Sequence, residues 1–165
     1  MSSITIRPAH SREVPRELLL LADPSDAMVD SYLQRGRCFV AEADARIVGE
    51  MILLDTRPYT MELVNLAVEE AWQNRGVGTA LVQFAIAYAR GQQMRTLELG
   101  TGNSGIAQMA LYQKCGFRIV GVDLDFFTRN YVQPIYEDGI WCRDMVRMAI
   151  DLDRLWDSAT GEYRE

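Results

Sequence analysis

The chain has 165 residues and is short of the side chains that most metal and nucleophile chemistry requires. Histidine occurs once, at His10 near the N-terminus, which argues against a zinc site built from one His and scattered Cys and against a Ser-His-Asp triad, and a lone polar residue of this kind is expected on the surface. The three cysteines, Cys38, Cys115 and Cys142, are far apart, odd in number and form no CxxC pair. That pattern excludes a disulfide framework and suits reduced thiols, and no bound metal is expected. No apolar run approaches the roughly 20 residues that span a membrane. Met1-Ser2-Ser3-Ile4 lacks the basic and apolar regions of a signal peptide, so a cytoplasmic protein is expected. Positive charge is also in short supply: 17 Lys and Arg face 23 Asp and Glu, giving a net charge of −6 and a pI of about 4.9. Nucleic acid and anionic membranes are poor partners for such a chain, whereas a free amine or polyamine is favoured by its field.

What is present reads as ordinary globular sequence, 48% hydrophobic and 24% charged. Residues 1–165 fit one domain, long enough to bury roughly 70% of the surface of its unfolded chain. Ser3 to Pro8 alternates as a short strand. Pro15 to Ala22, with four consecutive leucines, reads as a buried helix. Asp23 then looks like the cap of a second helix, with Pro24 in its first turn and a stop near Gly36. Cys38 to Glu42 and Arg46 to Leu54 form a hairpin, and Met61 to Val68 is a further strand. Val77, Ala80, Leu81, Phe84, Ala85 and Tyr88 mark an amphipathic helix. Thr96 to Thr101 is a strand, Ile106 to Lys114 a short helix, Phe117 to Val122 a strand, and Val146 to Leu152 alternates as a half-buried strand. Strands joined partly by hairpins and partly by helices predict a mixed sheet covered on both faces.

The stretch richest in chemistry follows the fourth of those strands: Gln73-Asn74-Arg75-Gly76-Val77-Gly78-Thr79. Two glycines remove side chains where a long helix begins, so its first amides and the positive end of its dipole are open to an anion such as a pyrophosphate. Arg75 adds charge beside it. A P-loop is excluded because Thr79 and Ala80 follow Gly78, and a dinucleotide fingerprint because Leu81 stands where the third glycine belongs. By itself the pair of glycines equally fits a simple strand-to-helix turn.

Gln73-Asn-Arg-Gly76-Val-Gly78 resembles the Q/R-x-x-G-x-G/A acetyl-CoA signature of the GNAT superfamily. Asn103 through Leu111-Tyr112-Gln-Lys114-Cys-Gly116-Phe117 resembles that family's second cofactor segment, in the right order and about the right distance away. The wider stretch is also similar to a small bacterial YvbK-like branch. The resemblance implies an α/β, mixed GNAT fold, with a central, largely antiparallel sheet of about seven strands flanked by about four helices. It implies an N-acetyltransferase that moves acetyl from acetyl-CoA to a primary amine of a small molecule or peptide, with a homodimer as a common assembly of that fold. A non-catalytic acyl-CoA-binding domain and an acetyltransferase for protein N-termini or lysines stand as alternatives.

The same resemblance assigns roles. Backbone groups of Leu66, Ala67 and Val68 would hold the pantetheine arm and the oxyanion, the amides of Arg75, Gly76, Val77, Gly78 and Thr79 the pyrophosphate, and the segment with Asn103, Tyr112 and Lys114 the other side of the arm. Asn103 lies nine residues before Tyr112 rather than seven, so it fits a helix cap as well as a cofactor contact. Glu62 would be the general base acting through a water, with Glu50 and Asp55 in reserve, or else an ordinary strand glutamate. Tyr112 would protonate the departing thiolate, or else pack in the core. The helix pattern puts Ala107, Ala110 and Leu111 on one face, with Tyr112 at its edge. Cys115 has no histidine to activate it, so direct transfer is expected. The acidic and aromatic segment from Asp125 to Trp141 is expected as a loop that either borders the acceptor or packs on the core.

Overall fold

Alternation and helical periodicity resolve into a seven-stranded sheet with helices on both faces in the computed structural model, which describes residues 2–157 and 159–164. The elements are β1 (Thr5–Ala9), α1 (Arg16–Ala22), α2 (Asp26–Leu33), β2 (Arg37–Ala43), β3 (Arg46–Arg57), β4 (Thr60–Val68), α3 (Val77–Gly91), β5 (Thr96–Gly102), α4 (Ile106–Lys114), β6 (Arg118–Asp123), α5 (Phe126–Asn130), β7 (Ile135–Glu137), β8 (Ile140–Cys142), β9 (Met145–Asp151), β10 (Leu155–Asp157) and β11 (Glu162–Arg164). The large sheet runs β1-β2-β3-β4-β5-β9-β6. Its neighbours are antiparallel apart from β4 and β5, which are parallel because α3 carries the chain back between them. Two small hairpins, β7–β8 and β10–β11, stand outside it. Among the described residues no helix is long and apolar enough to cross a membrane.

Each face of the sheet has its own apolar cluster. Val77, Leu81, Val82, Ala85 and Ala89 of α3 pack on Phe39, Ala41, Met51, Leu63, Leu97, Leu99, Met148 and Ile150. On the opposite face, Leu19 of α1 with Val29 and Tyr32 of α2 cover Cys38, Val40 and Ile52. One irregularity in β4 matters for function. Ile52 pairs with Asn65 and Leu53 with Leu63, so Val64 is an extra residue, a bulge. Leu63 packs beneath α3, yet Asn65 two residues later bonds to α1 and α2 on the other face. Without the bulge both would point the same way.

Three sequence expectations are corrected. The cap of α2 is Ser25, whose side chain accepts from the Met28 amide at 3.2 Å; Asp23 instead ends α1. The segment from Asp125 to Trp141 is α5 and the β7–β8 hairpin rather than a plain loop. In α4, Ala107 and Ala110 are exposed, and Met109, Tyr112 and Cys115 carry the buried face.

Glu50 in β3 is an anomaly of the core. It pairs with Val40 and Ala67, is fully buried at 0% exposure, and neither carboxyl oxygen has a hydrogen-bond partner among the described residues. Burial pushes its pKa up from 4.5 to about 8, offset in part by the nearby Ala67 backbone. The folded chain therefore keeps a proton that the unfolded chain releases near pH 4.5. The stability tied to that proton is complete below the unfolded value and is lost as pH rises through the folded one. Glu50→Gln cannot ionise and should melt higher than the parent by a margin that grows between pH 5 and 8.5. A margin that does not change over that range would contradict the assignment of a neutral Glu50.

Candidate active site

The sheet comes apart at the parallel junction of β4 and β5. β4 and β5 pair from Thr60–Thr96 to Leu63–Leu99 and no further, while β5 keeps its pairing to β9 as far as Gly102. The far half of β4 thus has one edge on β3 and the other on a widening gap. Which backbone groups face that gap follows from the ladder. The Glu69 amide donates to the Val48 carbonyl at 2.8 Å, flanking the Gly49–Val68 pair, so that pair is of the non-hydrogen-bonded kind. Val68 and Leu66 then turn their amides and carbonyls toward the gap, and Ala67 turns its own toward β3. The Val68 carbonyl is taken up by Gln73 Nε2 at 3.1 Å.

Beyond β4 the chain passes through a short 3-10 turn at Glu70–Trp72, a left-handed Asn74 and a left-handed Gly76 (φ 84°, ψ 2°) into α3. No side chain caps this helix, so its first amides lack both intrahelical and side-chain partners. Gly78 faces α4: a Cβ there would lie 3.4 Å from Leu111 and 3.9 Å from Val68. Arg75 is exposed and stacks over the Trp72 ring at 5.2 Å.

On the side of α1 and α2 the gap opens into a cleft of about 460 Å³. Its walls include Leu21 to Pro24, Leu63 to Leu66, Gly100 to Gly102, Tyr112, Phe127, Tyr131, Tyr136 and Glu137. Tyr112 is 8% exposed, and burial pushes its phenol up to about 12, so it remains a donor at neutral pH. Glu62 is outside the residues that line the cleft; it stands just before them on β4, in the last but one pair of the β4–β5 junction. Its side chain is 22% exposed, with Arg147 Nη1 at 3.8 Å. Burial raises its pKa, Arg147 and Arg57 pull it down, and Glu98 pushes it up. The bulge at Val64 puts Glu62 and Asn65 on the same face, that of α1 and α2.

The candidate residues of the sequence are distributed accordingly. Leu66 and Tyr112 line the cleft, Val68 shares the free edge of β4 with Leu66, and the turn from Gln73 to Thr79 leads from that strand into α3, whereas Glu62 is outside the lining. Asn103 caps no helix, since Gly105 precedes α4; its amide binds the Trp141 carbonyl and the Arg143 and Asp144 amides. Lys114 is exposed at the end of α4. Asp55 is spent on Arg37 at 2.9 Å, and Glu50 is sealed beneath α1 and α2. His10 is exposed, as expected. Among the described residues no cluster of three or more His, Cys, Asp or Glu could hold a metal ion. Sequence reasoning missed Asp23, which joins three elements: it accepts from Tyr32 OH of α2 at 3.1 Å and from Tyr131 OH at the end of α5 at 2.8 Å. It also missed Asn65, a residue of the cleft wall whose side chain is buried against α1 and α2.

The chain is similar in sequence and fold to known proteins. The sequence profile of the Acetyltransferase (GNAT) family matches residues 7–117, and the chain belongs to that family. It is 54% identical over 136 residues to the N-acetyltransferase YvbK of Bacillus subtilis, covering 82% of this chain and 88% of that one. Two crystal structures are close in fold. An IAA acetyltransferase from Bacillus cereus has a TM-score of 0.88 and 47% identity, over 90% of this chain and 99% of that one. A GNAT acetyltransferase from Elizabethkingia anophelis with acetyl-CoA bound has a TM-score of 0.87 and 41% identity, over 90% and 97%.

Gly76 is the position where the turn depends on residue type. Its left-handed backbone costs an ordinary residue about 1–2 kcal/mol, although no atom lies within 4 Å of a Cβ built there. Gly76→Ala should therefore lower the melting temperature by about 2–8 °C. An unchanged melting temperature would mean that the turn relaxes without strain.

Proposed function

We propose that the chain transfers the acetyl group of acetyl-CoA to a primary amine by direct attack. The observation that carries this reading is the edge of β4 at Leu66 and Val68, which has no strand partner past Leu63 and leads to the glycine turn of α3, with Tyr112 lining the same cleft as Leu66. A strand edge of this kind can hold the amides of a pantetheine arm as a further strand would, and open helix amides with Arg75 beside them suit a pyrophosphate. The Elizabethkingia relative, with acetyl-CoA bound, supports the same placement here. All three cysteines are free thiols, in keeping with a cytoplasmic setting.

An alkylammonium near pKa 10.4 has no lone pair, so the first task is to remove a proton. Glu62, half-buried on the acceptor face, takes it through a water. The amine nitrogen then bonds to the thioester carbon, and charge gathers on the carbonyl oxygen, where the Leu66 amide is a fixed donor. The C–S bond breaks toward sulfur, and the Tyr112 hydroxyl donates to the departing thiolate. A phenol held near 12 is a much weaker acid than a simple thiol near 8.5, so this is stabilisation by hydrogen bond, with the proton drawn in the end from the amine nitrogen. Cys115 is buried and its thiol is pushed up by desolvation, which argues against an acyl-enzyme.

Thiol release from acetyl-CoA over a panel of primary amines tests the reading, and binding without turnover would sink it. Acetyl-CoA at 100 times its dissociation constant should stabilise the protein by about 2.7 kcal/mol. Gly78→Glu, which sets bulk and negative charge against α4, should abolish that thermal shift. For the chemistry, Tyr112→Phe should lower kcat by roughly 10²–10³ with little change in KM for acetyl-CoA. Glu62→Gln should lower kcat at neutral pH and recover as pH rises and the free amine accumulates. Rates within a few-fold of the parent for either variant would remove that residue from the mechanism.

A further inference from the structure

The acceptor side of the cleft holds a polar atom with nothing to bind. Asn65 is 4% exposed, lines the cleft and precedes Leu66. Its Nδ2 donates to the Leu19 carbonyl at 3.1 Å and to the Tyr32 hydroxyl at 2.8 Å. A backbone carbonyl only accepts, so the orientation of the amide is fixed by chemistry and Oδ1 is the atom left over. Oδ1 is buried and unpaired among the described residues. Buried acceptors are normally satisfied, and because Asn65 belongs to the cleft wall, a ligand seated there is a source of the missing donor.

The rest of the wall is acidic and aromatic. Among the described lining residues there are two carboxylates, Asp23 and Glu137, and no Lys, Arg or His. Asp23 is already satisfied by the Tyr32 and Tyr131 hydroxyls and the Ser25 amide. Glu137 has only neutral partners, Gln108 Nε2 at 3.1 Å and a long contact from Ser104 Oγ at 3.5 Å. Around it stand Phe127, Tyr131 and Tyr136, whose ring faces attract cations.

We infer that the acceptor is a linear primary diamine, its reacting nitrogen giving an N–H to Asn65 Oδ1 and its distal ammonium held at Glu137. This rests on the amine reading above and narrows it. The reacting ammonium loses one proton through water to Glu62. The neutral nitrogen then uses its lone pair to form the N–C bond while one N–H stays on Oδ1. The thioester C–S bond breaks with its electrons going to sulfur, a second proton passes from the nitrogen to that thiolate, and the products are free coenzyme A thiol and a monoacetylated diamine that keeps its distal charge. An alcohol has a single hydrogen, lost in the attack, and so leaves Oδ1 unpaired; an amine does not. Asn65 therefore selects for nitrogen and Glu137 for the second cation.

The test measures thiol release from acetyl-CoA with 1,4-diaminobutane, n-butylamine and glycine as acceptors, alongside acetyl-CoA affinity by calorimetry. The parent protein should use 1,4-diaminobutane with a kcat/KM at least ten-fold above n-butylamine, and glycine least. Glu137→Gln should bring the diamine-to-monoamine ratio to within about three-fold of one. Asn65→Ala should lower kcat/KM for 1,4-diaminobutane ten-fold or more while the acetyl-CoA dissociation constant holds. Equal use of the two amines by the parent, or an unaltered ratio in Glu137→Gln, overturns the diamine assignment and leaves the acetyltransfer reading standing. A loss of acetyl-CoA affinity in Asn65→Ala that matches its loss of rate makes Asn65 structural and overturns its role. Tight acetyl-CoA binding with no turnover of any of the three amines overturns the amine reading, and this proposal with it.

Discussion

The parting of β4 from β5 is the feature on which the site depends. A sheet normally satisfies both edges of an inner strand, and unpaired buried backbone groups are costly. Here the pairing stops at Leu63–Leu99 although both strands continue. β5 tolerates the separation because β9 pairs with it along its whole length, and β4 because β3 holds its other edge. The split therefore exposes one short row of amides and carbonyls without unravelling the sheet. It lies on an inner strand, flanked by α3 and α4, so the row is presented to a ligand rather than to another sheet. The glycine turn stands at one end of this row and Tyr112 beside it, so the three features form a single site.

Much of this was legible in the sequence. The glycines, the periodicity of α3 and the Tyr112 segment are local signals, each expressed within a few residues, and the seven-stranded sheet follows from period and order. What was not legible has two physical causes. The first is the bulge at Val64. Strict alternation would place Asn65 on the same face as Leu63, inside the core beneath α3, and one unpaired residue moves it to the acceptor side. The second is contact between residues remote in the chain. Asp23 looked like a helix cap because Pro24 follows it, and its actual partners include Tyr131, 108 residues away. Asn103 likewise fitted either a cap or a cofactor contact, whereas its amide holds the strand-to-strand turn after β8, some 40 residues on. The short α5 and β7–β8 elements are too brief to give a periodic signal.

The carboxylates of the sheet illustrate how environment separates function from structure. Glu50 and Glu62 sit on adjacent strands and on the same face, and burial raises the pKa of each. Glu50 lies under α1 and α2 among apolar side chains, with no cation beside it, so neutrality is its favoured state. Glu62 lies past the end of that cover. Arg147 and Arg57 oppose the cost of its burial and favour its charged form, a counterweight that Glu50 lacks. Residue type alone makes the two equal candidates for a base; exposure and the nearest cation distinguish them.

Asp23 shows why the acceptor side has to be assembled from distant parts of the chain. The sheet supplies a gap and a row of amides, which suffice to hold a thioester but do not enclose the nucleophile. Enclosure comes from α1, α2 and α5, whose ends meet at one carboxylate through two tyrosine hydroxyls. Burial raises the pKa of both phenols beyond the ordinary range, so they remain donors and the joint persists across the pH range in which an amine is deprotonated. Tyr32, by accepting from Asn65 Nδ2 and donating to Asp23, links that joint to the strand whose backbone faces the gap. The orientation of the orphaned Oδ1 is thus set by the contacts that close the cleft, and the shape of the acceptor pocket and its polarity are fixed together.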